Sequence, residues 1–99
     1  MAIGREEVRR LDISVSSGTG SGNINRTWDL SRRVRVIPPA ETDSYDVSIK
    51  DSDSHRIFQR TGQVGTLSEL QGLSLGILSS VSIANATTDG TYVVKFDMH

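Results

Sequence analysis

Few side chains in this chain are typed and spaced for chemistry. Asp51-Ser52-Asp53-Ser54-His55 is the only acidic run with metal-like spacing. A calcium loop of the helical-hand type needs an oxygen ligand at its fifth position, glycine at its sixth and glutamate at its twelfth. Counted from Asp51, those positions hold His55, Arg56 and Gly62, so the pattern fails at each. Asp and Ser are also what a tight turn selects, because their side chains bond the adjacent backbone. The run is expected to be a hairpin turn, with Asp51 and Asp53 only a weak calcium candidate.

Nucleophilic chemistry is poorly provided for. His55 and His99 are the only histidines, and there is no cysteine. A triad of His55, Asp53 and a serine can be written down, as it can for almost any serine-rich chain, but no Gly-x-Ser-x-Gly elbow accompanies it. Two histidines cannot make a three-histidine metal site. The expectation is a protein without catalytic residues or cofactor. Ser16-Ser17-Gly18-Thr19-Gly20-Ser21-Gly22-Asn23 resembles a phosphate loop only in its glycines, since Ile24-Asn25-Arg26-Thr27-Trp28 does not start a helix. Residues 16–23 are expected to be a flexible loop.

The best binding patch is Arg26, Arg32, Arg33 and Arg35 around Trp28. One account makes it the solvated face of a strand. The other makes it a partner-binding site, because Arg and Trp are enriched at hot spots and an Arg row pairs with carboxylates on a neighbour.

The elements that must position these residues are strands. Apolar residues fall at every second position in Leu11-Asp12-Ile13-Ser14-Val15, in Val34-Arg35-Val36 and in Tyr45-Asp46-Val47-Ser48-Ile49. The same alternation runs through Val81-Ser82-Ile83 and the final Tyr92 to Met98, around a turn-rich Asn85 to Gly90. Strands are predicted over 8–15, 28–37, 45–50, 55–60, 77–84 and 91–98, with Pro38-Pro39 ending the second and 61–65 a turn. Thr66 to Leu75 is compatible with a short helical turn or an irregular strand. Six or seven short strands with at most one helical turn predict an all-β, antiparallel sandwich or a small barrel.

Composition narrows the function. Ninety-nine residues make one domain, 1–99, with 35% hydrophobic residues and five aromatics for a thin core. Eleven basic against twelve acidic residues leave a charge of −1. That argues against a grip on nucleic acid, which works by neutralising many phosphates. Nine of the bases are Arg and two are Lys, a bias typical of protein interfaces. The first residues lack the apolar core of a secretory signal, and no apolar run reaches membrane-span length, so a cytoplasmic origin without membrane contact is expected. Residues 1–10 carry Arg5, Glu6, Glu7, Arg9 and Arg10 around Val8 and are expected to be an arm ordered by a neighbour.

The feature order carries a resemblance. Arg33-Val34-Arg35-Val36-Ile37-Pro38-Pro39 is followed by Tyr45 to Asp53, Arg60-Thr61-Gly62, Gly65 to Glu69, and Ile83 to Tyr92. Over residues 24–98 this resembles the small β-sandwich structural proteins of tailed bacteriophages, among them capsid cement and decoration proteins. The resemblance implies a jelly-roll or immunoglobulin-like sandwich. It also implies a non-enzymatic virion protein that binds the major capsid protein lattice and stabilises the head. Its copies would be lattice-bound or form a trimer or dimer, and it supplies no catalytic positions. The alternative is an accessory carbohydrate- or protein-binding sandwich module, which would normally bring an export signal.

Overall fold

The computed structural model of the chain describes residues 7–24, 29–76 and 79–98. They form eight strands: β1 (Glu7–Val15), β2 (Gly20–Asn23), β3 (Asp29–Ile37), β4 (Ser44–Lys50), β5 (Arg56–Val64), β6 (Leu67–Leu75), β7 (Ser80–Ala84) and β8 (Gly90–Met98). No described residue is helical. One sheet has the order β1-β8-β3-β6 and the other β2-β7-β4-β5, with every pairing antiparallel. The pairings are nested. β4 pairs with β5 across the Asp51–His55 turn, then β3 with β6, β2 with β7, and β1 with β8. The chain is one long hairpin folded over on itself.

Alternation explains the core between the sheets. Ile13, Val15, Val34, Val36, Tyr92, Val94 and Phe96 are buried from one sheet. Tyr45, Val47, Ile49, Phe58, Val81 and Ile83 are buried from the other. Tyr45 and Tyr92 meet edge to face across the core, ring centres 5.4 Å apart, the geometry aromatic quadrupoles favour. The Tyr45 hydroxyl donates to the Gly65 carbonyl at 2.8 Å, so its polar end is satisfied where the chain turns into β6.

Four expectations are corrected. The strand count is eight, and the added strand is β2, inside the segment expected to be a flexible loop. Its inward positions are Gly20 and Gly22, followed by buried Ile24, while Ser21 and Asn23 face out. The alternation is intact, with glycine where an apolar residue would ordinarily signal it. A Cβ on Gly20 would lie 2.3 Å from the Ser14 carbonyl oxygen, and one on Gly22 would lie 3.2 Å from the Leu11 side chain. These glycines let β2 close against β1. The loop itself shrinks to Ser17-Gly18, both at positive φ, between Ser16 and Thr19, whose N–H and carbonyl groups bond each other.

The expected arm over 1–10 is also corrected in part. Residues 7–10 belong to β1 and pair through the backbone with β8, which needs no buried side chain. Residues 1–6 lie outside the described residues. The turn expected over 61–65 is confined to its last residue, since β5 runs to Val64 and absorbs Gly62 at φ 64° as an irregularity. Of the two readings left open for Thr66 to Leu75, the strand is the one found, β6 from Leu67. Its three-residue leucine spacing resolves into Leu67, Leu73 and Leu75 buried with Leu70 outward.

The glycine packing gives a test. Gly20→Ala should destabilise the domain by about 1–3 kcal/mol, the usual cost of overpacking. Gly76→Ala, where an added Cβ meets nothing within 4 Å, should change stability by less than about 0.5 kcal/mol. Thermal melts of the two variants check this, and equal melting temperatures would mean that β2 does not pack as described.

Candidate functional site

The outward face of the β1-β8-β3-β6 sheet collects the charged residues. With Val34 and Val36 buried, Arg33 and Arg35 project outward, joined by Arg32 where the register slips between Ser31 and Arg33. Register then does what sequence distance conceals. Arg10 lies opposite Lys95, Lys95 opposite Arg35, and Arg35 opposite Ser68. Three cations from three separate strands thus form one row across the sheet. Like charges directly opposed on neighbouring strands are destabilising.

The row is only partly compensated. Arg35 Nη2 donates to Asp97 Oδ1 at 2.5 Å, and Arg33 Nε lies 3.8 Å from Asp97 Oδ2. Arg33 Nη1 donates to Ser68 Oγ at 2.9 Å. Arg10 Nε donates to Asp12 Oδ1 at 2.7 Å, an exposed pair of the kind that contributes at most about 1 kcal/mol. Among the described residues of this face, Asp12 and Asp97 stand against Arg10, Arg33, Arg35 and Lys95, so these cations outnumber the carboxylates facing them. Of the sequence candidates, Arg32, Arg33 and Arg35 share this face, while Arg26 and Trp28 lie outside the described residues. Arg10 and Lys95 were missed, because nothing in their local sequence signals that the fold sets them beside Arg35.

Four other carboxylates are spent elsewhere. At the end of the sandwich that holds the β1–β2, β3–β4, β5–β6 and β7–β8 connections, each carboxylate serves a backbone. Asp89 accepts from the N–H groups of Ser17 and Gly18 at 3.0 Å each. Asp43, buried, accepts from Ala40 N–H at 2.9 Å and Thr88 Oγ1 at 2.7 Å. Asp46 accepts from Gly62 N–H at 2.8 Å and Asn85 Nδ2 at 2.7 Å, which hold its carboxyl below the ordinary value. The Thr66 hydroxyl and N–H do the same for Glu41. Burial pushes both the Tyr45 and Tyr92 phenols up, so neither ring is a proton donor of use near neutral pH.

The Asp51 run is a turn. Asp51 Oδ1 accepts from the N–H groups of Asp53 and His55 at 3.0 and 2.9 Å, and His55 Nδ1 lies 3.9 Å from Asp51 Oδ2. The acid beside His55 is therefore Asp51, not the Asp53 that a triad would use. No group of three or more His, Asp or Glu able to hold a metal occurs among the described residues. An open concavity of about 330 Å³ beside this turn, lined by Ile57, Leu73, Ser74 and Asp51 among others, has only that committed carboxylate for chemistry.

Comparison with protein-family models and with curated proteins returned no match.

The depressed carboxyls set an acid limit. Their contribution is complete above the ordinary values of 4.5 for Glu41 and 3.8 for Asp46, and is lost as pH falls through the lower folded values. The melting temperature should therefore hold steady from about pH 7 to 5 and drop below about pH 4. Asp46→Asn should make that drop shallower, as read by thermal melts across the range.

Proposed function

We propose that this chain is a jelly roll acting as a non-enzymatic virion structural protein, a cement or decoration protein that binds the major capsid protein lattice and stabilises the head. The observation that carries the reading is the Arg10–Lys95–Arg35 row. Like charges opposed on neighbouring strands are unfavourable, and carboxylates of a docked partner would relieve the repulsion that Asp12 and Asp97 leave. The strand order supports the architectural half. Eight strands in two four-stranded sheets with nested pairing are compatible with the jelly-roll scheme, which viral capsid and lectin domains share. An immunoglobulin-like domain would instead place its first two strands side by side in one sheet.

Docking by a sheet face suits a structural role. Each copy offers modest electrostatic contact, and repetition over a symmetric shell multiplies it. A carbohydrate-binding module would stack sugar rings on exposed aromatics, and among the described residues, which do not include Trp28, no aromatic side chain is exposed. Tyr45, Phe58, Tyr92 and Phe96 are all buried.

Lys95→Glu gives the reading a test with opposed outcomes. Facing Arg10 and Arg35, the new carboxylate should leave the domain unchanged or stabilise it by about 0.2–1 kcal/mol. The same change should release the protein from purified phage particles in a sedimentation assay at physiological salt. Unaltered attachment would remove the row from the interface, and reproducible binding on a glycan array would favour the carbohydrate-binding alternative.

A further inference from the structure

Each sheet has two edges, and three of the four edges carry protection against pairing with another chain. Sheet edges are ordinarily blunted by charge, shortness or irregularity. β1 carries Arg9, Arg10 and Asp12 along its length. β2 is only four residues long. β5 carries Arg56 and Arg60 and breaks register twice against β4.

β6 differs. It is nine residues long, with Glu69 its only charge. That charge is already committed, because Arg60 Nε and Nη2 donate to its two oxygens at 2.5 and 2.6 Å across the gap between the sheets. Arg60 is held in turn over the Phe58 ring, 4.6 Å from its centre. On the outward side Leu70 is 72% exposed, the most exposed large hydrophobic residue described. The irregularity opposite Ser31–Arg33 leaves the in–out alternation of β6 unbroken. Among the described residues, nothing pairs with its outer edge.

We infer that β6 is a self-association edge, on which a second copy of this chain pairs its own β6 antiparallel about a two-fold axis at Leu70. The sequence of the strand selects that occupant and that register. An isologous antiparallel pair must keep inward residues opposite inward ones, since a one-residue slip would turn each side chain to the wrong face. With the axis at Leu70, the two Leu70 side chains cover one another, Leu67 meets Leu73, and Glu69 meets the amide of Gln71. Moving the axis to Gln71 would set Glu69 against Leu73 and leave Leu70 facing Gly72. The Leu70 axis is the one that buries the exposed leucine and gives the carboxylate a donor. It joins the two β1-β8-β3-β6 sheets edge to edge, with both cationic rows on one side.

The lack of cysteine makes the test clean. Directly opposed residues in an antiparallel pair have Cα atoms about 4.5 or 5.5 Å apart, and both spacings lie within disulfide reach. The full chain should sediment as a dimer. Leu70→Cys should form a covalent dimer under mild oxidation, and Ser14→Cys, exposed on the opposite edge strand, should not. Leu70→Lys, at an exposed position the fold tolerates, should raise the dimer dissociation constant at least tenfold. A chain that stays monomeric at millimolar concentration would overturn the inference. So would a dimer that survives Leu70→Lys, or one that cross-links through residue 14 rather than residue 70.

Discussion

The structure depends on one constraint: the first half of the chain must pair, strand by strand, with the second half in reverse order. The Asp51–His55 turn is the apex of this arrangement, and β1 with β8 is its open end. Local contacts contribute little to such a fold, because only β4 and β5 pair across a short connection. Long loops must close before most pairings gain anything, which places the chain among slowly folding β topologies. The aspartate that looked most like a metal ligand holds the apex. Its oxygen accepts two backbone N–H groups that would otherwise have no partner in the turn.

Charge is used in two distinct ways at different places on this scaffold. At the loop-bearing end, Glu41, Asp46 and Asp89 each take backbone donors remote in sequence, and Asp43 joins Ala40 of its own connection to the Thr88 hydroxyl of the β7–β8 connection, so carboxylates tie neighbouring segments together. On the outer sheet face the cations are set against one another instead. Folding alone does not require Arg10, Lys95 and Arg35 to share a row, and a stabler arrangement would place a carboxylate at position 95.

Much of the sandwich was legible in the sequence, and the exceptions have physical causes. Val34, Val36, Tyr45, Val47, Ile49, Val81 and Ile83 announce their strands because each alternates with a polar neighbour. β2 was hidden because its core-facing residues are Gly20 and Gly22, chosen for closeness to β1 rather than for burial of side chains. β6 was obscured because Leu67, Leu70 and Leu73 repeat every third residue, a spacing that a strand satisfies only by turning Leu70 to solvent. Arg32, Arg33 and Arg35 were legible as a patch. Their companions Arg10 and Lys95 were not, since cross-strand register is a property of pairing and leaves no mark on the local sequence.

In the proposed role, the protein covers a repeated surface with its charged sheet face. The copy number of the chain in purified phage particles tests this most directly, measured by quantitative mass spectrometry against the major capsid protein. The account predicts a fixed stoichiometric ratio set by the symmetry of the shell. Absence from particles, or a few copies per particle, would contradict it.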